Sequence, residues 1–270
     1  MSHAAPEIGV LDSGLGGLTV LREIRRQMPT RSVLYLADTA NVPYGDKPLE
    51  VVRDLALRLT DHLIKAGAQI VIMASGTSTV AGLDAARQHY PAVPILGTIE
   101  PGAETAVHVS DGVIGVLSTS ATARSLAFTQ AVHALDPLRK VVEQGCPRFV
   151  PLVETGQSET QEAEDAACEY LRPLQTSGVQ TIILGCTHFP FLLPALHRAV
   201  RRFNDPAFNP LFVDPSEETV RCALPYLPAE DGATISRMDF AASGDPEDFR
   251  HYASLLLGEE LLPVSSLSFY

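Results

Sequence analysis

The sequence predicts an α/β protein of two pseudo-symmetric α/β domains, each a mostly parallel sheet flanked by helices, with the active site between them. Three observations predict it. Short aliphatic and β-branched runs alternate with longer amphipathic ones, the pattern of buried parallel strands wrapped by helices. The run Ile8-Gly9-Val10-Leu11-Asp12-Ser13 is echoed by Ile114-Gly115-Val116-Leu117-Ser118-Thr119. In the same order, and at nearly the same spacing, Ile70-Val71-Ile72-Met73-Ala74-Ser75-Gly76-Thr77 is echoed by Thr181-Ile182-Ile183-Leu184-Gly185-Cys186-Thr187-His188.

Each element has its own local signal. A first strand is expected over residues 7–11, an apolar run that stops at Asp12-Ser13-Gly14, and a helix follows over 17–27. A second strand over 32–37 ends at Asp38, the amphipathic stretch 49–66 reads as a helix, and the β-branched run 70–73 as a third strand. Further strands are expected over 94–98, 112–117, 148–152, 181–184 and 210–213, with a helix over 158–177. Gly97 and Pro101-Gly102 punctuate the chain, and 204–210 reads as a loop. The expected division is therefore residues 1–98 with 210–270 as the first unit and 99–209 as the second. Under it Ser75 and Cys186 occupy equivalent strand ends, where open α/β sheets bind their ligands.

Bulk properties exclude several classes. The 270 residues are 46% hydrophobic and 19% charged, an ordinary globular balance. No apolar run approaches the roughly 18 residues of a membrane span. Residues 1–7 lack the basic-then-apolar order of a signal peptide, so the cytoplasm is expected. The net charge of −12 argues against broad nucleic-acid binding, although a local nest of backbone N–H groups can still hold a small anion. Cys146, Cys168, Cys186 and Cys222 form no CxxC pair and no zinc-type spacing, so no metal is expected and any special thiol is catalytic rather than structural. A homo-oligomer, a homodimer first, is the base expectation.

Four segments carry candidate chemistry. Asp12-Ser13-Gly14-Leu15-Gly16-Gly17 joins a strand to a helix and can offer N–H groups to an anion; its spacing is neither a dinucleotide fingerprint nor a P-loop. Its bland alternative is a strand–helix turn capped by Asp12. The stretch from Asp38 to Lys47, with Pro43, Tyr44 and Gly45, reads equally as a binding loop or a surface turn. Gly185-Cys186-Thr187-His188 places a thiol between a buried strand and an expected helix start, a setting that favours a thiolate, with an imidazole two residues on. An inert buried cysteine is the alternative. Glu154 follows the apolar run 148–152, where a carboxylate needs a partner or serves as a helix cap. Cys168 and Cys222 fall in helical patterns and read as core.

Taken in order, these segments resemble the glutamate racemase family of the aspartate/glutamate racemase superfamily. The resemblance rests on Asp12 to Val20, Asp38 to Lys47, Cys146-Pro147, Pro151-Leu152-Val153-Glu154, Leu184 to Pro190 and Ser243-Gly244-Asp245-Pro246, and it spans nearly the whole chain. It implies two pseudo-symmetric domains and cofactor-independent interconversion of L- and D-glutamate, supplying D-glutamate for peptidoglycan. In that family two cysteines flank the substrate's α-carbon; one removes its proton and the other returns one to the opposite face. The resemblance places Cys186 at the second cysteine and has Asp12, His188 and Glu154 tune the acid–base groups. It assigns substrate contacts to Asp12, Ser13, Tyr44, Gly45, Gly76, Thr77, Thr119, Thr122, Thr187 and His188.

The chain departs from the family where an Ala-Cys-Asn-Thr run is usual and Ala74-Ser75-Gly76-Thr77 stands instead. A thiol ionises near about 8.5, whereas a serine hydroxyl lies far closer to water's roughly 15.7. Ser75 is therefore expected to be a poor base that can still donate or relay a proton, with Asp12 acting through it as one route. Three readings follow: a racemase weakened on one face, a one-thiol enzyme of the same superfamily resembling arylmalonate decarboxylase, or a non-catalytic glutamate-binding or regulatory homologue. Retention of Asp12, Cys186, His188 and Glu154 favours chemistry. Restoring the family pattern with Ser75→Cys and Gly76→Asn is expected to raise racemisation.

Overall fold

The computed structural model describes residues 5–228, 237–261 and 263–268. β1 (Ile8–Asp12) is buried along its whole length and lies between two parallel neighbours, β2 (Val33–Ala37) and β3 (Ile70–Met73). α1 (Leu18–Gln27) and α2 (Leu49–Lys65) make the connections, and α3 (Gly76–His89) leads to β4 (Ile95–Gly97) beside β3. After α4 (Ile99–Val109) comes β5 (Val113–Ser118), followed by α5 (Ser120–Ser125), α6 (Ala127–Leu135) and β6 (Val141–Gly145). α7 (Phe149–Glu154), α8 (Gln161–Thr176), β7 (Val179–Leu184), α9 (Leu193–Arg202) and β8 (Leu211–Val213) complete the second half. The described chain then adds α10 (Ser216–Ala223), β9 (Met238–Ala242), α11 (Pro246–Leu257) and β10 (Val264–Ser266).

Among the described residues the strands form two parallel sheets, ordered β10-β9-β2-β1-β3-β4 and β6-β5-β7-β8. The block β2-β1-β3-β4 has the same winding as β6-β5-β7-β8, so β1 corresponds to β5 and β3 to β7. Those are the strands that carry the two sequence echoes. Each sheet is buried on both faces, which is why its central strands read as unbroken apolar runs. Val10, Tyr35 and Ile72 lie on one face of the first sheet and Leu11, Leu36 and Met73 on the other. Leu117, Ile182 and Leu184 face one layer of the second, and Ile114, Val116 and Ile183 the other. The C-terminal strands β9 and β10 rejoin the first sheet beside β2.

Three expectations need correction. Residues 148–152 form no strand; they lie in and before α7, and Glu154 is the last residue of that helix. A short apolar run does not distinguish a strand from a buried helical turn, and Phe149, Val150, Leu152 and Val153 are spaced to bury one helical face. The strand is β6, whose five half-buried residues include Glu143 and Gln144 and so lack an apolar signature. β8 pairs with β7, which moves the return to the first sheet past Val213 rather than at 210. Cys168 and Cys222 lie on helices but are only half-buried. Among the described residues no helix is long and apolar enough to cross a membrane.

Candidate active site

The strand order brings chemistry-bearing residues to the carboxyl ends of both sheets, the position where open α/β sheets bind ligands. Asp12 ends β1, Asp38 follows β2 and Ser75 follows β3; Thr119, Cys146 and Cys186 follow β5, β6 and β7. Hydrogen bonds then cross between the halves. The Thr187 hydroxyl donates to Asp12 Oδ2 at 3.0 Å, and the Leu15 N–H donates to Glu154 Oε1 at 2.8 Å. Thr77 Oγ1 lies 2.9 Å from Thr119 Oγ1, which lies 3.0 Å from Thr122 Oγ1.

One side of this seam is a thiol–imidazole–carboxylate chain. Cys186 Sγ lies 3.7 Å from His188 Nδ1, and His188 Nε2 lies 2.6 Å from Glu154 Oε1. Both Cys186 and His188 are buried, at 6% and 1% exposure. Burial opposes a charged imidazole, but the bonds to the Cys186 sulfur and to the Glu154 carboxylate outweigh it and hold His188 well above its usual range. The protonated ring donates from Nε2 to Glu154 and from Nδ1 toward the sulfur. The expected helix start after Cys186 is instead a short 3-10 turn, Phe189–Leu192, ahead of α9. The nearby cation is thus His188 rather than a helix terminus. Gly14 and Gly16 have no side chain for a steric reason: a Cβ on Gly14 would collide with the Glu154 carboxylate, and one on Gly16 with His188 and Thr187.

The opposite side is built differently. Ser75 is buried and caps α3, its hydroxyl accepting the Ser78 N–H at 3.3 Å. Asp12 Oδ1 accepts the Gly14 N–H at 2.9 Å while Oδ2 holds Thr187, and among the described residues no hydrogen bond joins Asp12 to Ser75. Burial pushes the Asp12 carboxyl up, against the smaller opposing pull of His188. Ser13 is buried beside Asp12, and Gly45 approaches Thr119 so closely that a Cβ there would lie 2.6 Å from the threonine Cβ. The Tyr44 hydroxyl donates to Asp38 Oδ2 at 2.6 Å, and burial followed by that carboxylate keeps the phenol protonated far beyond its usual range.

The family model described as Asp/Glu/Hydantoin racemase matches residues 8–223. The chain belongs to the Asp/Glu/Hydantoin racemase family. Within it, the sequence is 41% identical to a glutamate racemase of Desulforudis audaxviator over 96% of this chain and 97% of that one. It is 37% identical to a glutamate racemase of Corynebacterium diphtheriae, covering 97% of each. Among solved structures, a glutamate racemase isoform from Bacillus anthracis superposes with a TM-score of 0.88 at 31% identity over 98% of both chains. The Francisella tularensis glutamate racemase, solved with D-glutamate, gives 0.87 at 25% identity over 98% of both.

For this racemase-family chain the structure gathers Asp12, Ser13, Tyr44, Gly45, Ser75, Gly76, Thr77, Thr119, Thr122, Glu154, Cys186, Thr187 and His188 along one seam between the two sheets. Two residues of the arrangement lie in segments that the sequence singles out without assigning them a role of their own. Asp38 accepts hydrogen bonds from Tyr44, Asn41 and Ser243, at 2.6 Å for both hydroxyls, and fixes the Tyr44 loop against the segment after β9. The available signal was a lone carboxylate ending a buried strand, which demands partners. Ser243 needed the return of β9 to the first sheet, invisible in local sequence. Cys146, fully buried, places its sulfur 3.5 Å from the Gln144 carbonyl, and burial pushes its thiol well up. Among the described residues no cluster of three or more His, Cys, Asp or Glu side chains could hold a metal ion.

Proposed function

We propose that this chain interconverts L- and D-glutamate by moving a proton at the α-carbon, with Cys186 as the acid–base group of one face and Ser75 on the other. The Cys186–His188–Glu154 chain carries the reading. His188 lies between the Cys186 sulfur and the Glu154 carboxylate, so the sulfur has a hydrogen-bonded partner that can pass a proton to and from it. Taking the α-proton forms an S–H bond and leaves the electron pair on the carbon. The Ser75 hydroxyl then gives its proton to the opposite face. Its oxygen regains a proton from water as the Cys186 thiol releases the one it took, which restores the starting enzyme with one proton exchanged with solvent. The reverse reaction retraces these steps. Thr77, Thr119, Thr122, Thr187 and the N–H groups after Asp12 supply donors for the substrate carboxylates, whose charge grows as the carbanion forms. No cofactor enters this scheme.

The D-glutamate would serve peptidoglycan synthesis in the cytoplasm, and the enzyme would work as a homodimer. The cleft would lie between a unit of residues 1–98 plus the C-terminal return and a unit centred on 99–209. Cys186→Ala tests the core of the reading. It is expected to abolish racemisation, read by circular dichroism of glutamate, while the far-UV spectrum of the protein stays unchanged. Turnover equal to the unmodified enzyme would remove Cys186 from the chemistry. One observation favours a second reading, a one-thiol decarboxylase or isomerase: the Cys186 face has a hydrogen-bonded imidazole and carboxylate, while the Ser75 hydroxyl is engaged in capping α3. Decarboxylation of an arylmalonate without any change in glutamate would select it.

A further inference from the structure

We infer that Gly76 is a positioning residue for Ser75: lacking a side chain, it lets the end of β3 close onto the end of β7 and brings a short hydroxyl within reach of a carbon held against Cys186. The inference rests on the racemase reading above. Gly76 is the first residue of α3 and follows Ser75 directly. A Cβ at this position would lie 2.7 Å from the Gly185 carbonyl oxygen, a backbone atom, where something must move. Gly185 in turn directly precedes Cys186. The two strand ends therefore meet at a glycine–glycine contact one residue from each reactive side chain.

The second half of that contact is braced. The Gly185 N–H donates to the Leu117 carbonyl at 2.7 Å, tying it to β5. Behind it stands the Phe128 ring, fully buried, so close that a Cβ on Gly185 would lie 2.6 Å from its edge. A side chain at position 76 would consequently displace the start of α3, and Ser75 with it, rather than push β7 away. Thr77, the next residue, is pinned across the same seam by Thr119. An oxygen reaches less far from its Cβ than a sulfur, so a hydroxyl on this face needs a closer wall than a thiol does. Ser75 and Gly76, the chain's two departures from the family run, thus form one matched change. The sequence-based expectation that Gly76→Asn simply restores a missing contact overlooks the Gly185 carbonyl.

Proton NMR of L- and D-glutamate in deuterated water resolves the two faces, the faster-exchanging enantiomer being the one deprotonated by Cys186. In the unmodified protein, Gly76→Ala is expected to slow exchange of the slower enantiomer by about 10²-fold, the scale of a 1 Å misplacement, and to alter the faster one far less. In a Ser75→Cys background the same change is expected to cost much less, because the longer thiol spans the wider gap. Equal losses on both enantiomers, or the same loss in both backgrounds, would overturn the inference. A second comparison decides if Gly76→Ala does not fold. Ser75→Cys/Gly76→Asn should exchange the slower enantiomer faster than Ser75→Cys alone, and the reverse order overturns it. No exchange of either enantiomer by the unmodified protein or by any folded variant would overturn the racemase reading itself, and this inference with it.

Discussion

Asp12 and His188 lie in one buried cluster and answer pH in different currencies. Burial raises the Asp12 carboxyl above the ordinary carboxylate range, so the fold favours the protonated acid, and ionising it costs stability as pH rises out of that range. Asp12→Asn is therefore expected to raise the melting temperature by a few degrees at pH 7 and by much less near pH 3, while lowering activity, the usual trade at a functional site. A lower melting temperature at pH 7 would contradict burial as the dominant cause. His188 is also raised, but as a base: the stabilisation from its protonated bonds is complete below the ordinary imidazole range and is lost as pH climbs well above it. Glu154→Gln removes one of the groups that hold the proton. Its His188 titration, followed by NMR, is expected to move down, with activity reduced by about 10²-fold or more, the lower end of what a general acid–base group contributes. An unmoved titration would show that Glu154 does not tune the imidazole.

At the scale of elements, the glycine-rich turn after β1 and the end of α7 act together. Leu15 and His188 both bond Glu154 Oε1, so the loop that begins the first half orients a carboxylate of the second. Gly14→Ala drives a methyl group into that carboxylate. It is expected to lower kcat by about 10²-fold through displacement of the relay, with a melting temperature that falls by only a few degrees. A collapse of the fold with no specific loss of kcat would assign Gly14 to stability alone. The same elements show what local sequence can reveal. Asp12 to Gly17 and Gly185 to His188 announce themselves because strand ends followed by Gly, Ser and Thr have few structural uses. α7 and β6 do not, because burial depends on what the segment packs against. Phe149 is buried edge-on against Tyr170 and Phe189, rings from α8 and the turn after Cys186, and no property of residues 148–152 specifies those partners.

For the whole molecule, two similar windings meet at their strand ends, and the proposed reaction draws on atoms from both. The two echoes made this legible, since β1 with β5 and β3 with β7 occupy matching places in the two sheets. What stayed hidden was how tightly the halves meet: the approach of Gly76 to Gly185 and of Gly45 to Thr119 is a property of their docking. The central claim is that this docked seam, with Cys186 on one face and Ser75 on the other, racemises glutamate. Circular dichroism of the purified protein with pure L-glutamate and, separately, with pure D-glutamate tests it most directly. Both signals are expected to decay to zero without added metal or cofactor, and at the same rate below saturation, because the two enantiomers have equal free energy and share every barrier between them. Two unchanging signals, with glutamate binding confirmed by calorimetry, would contradict it.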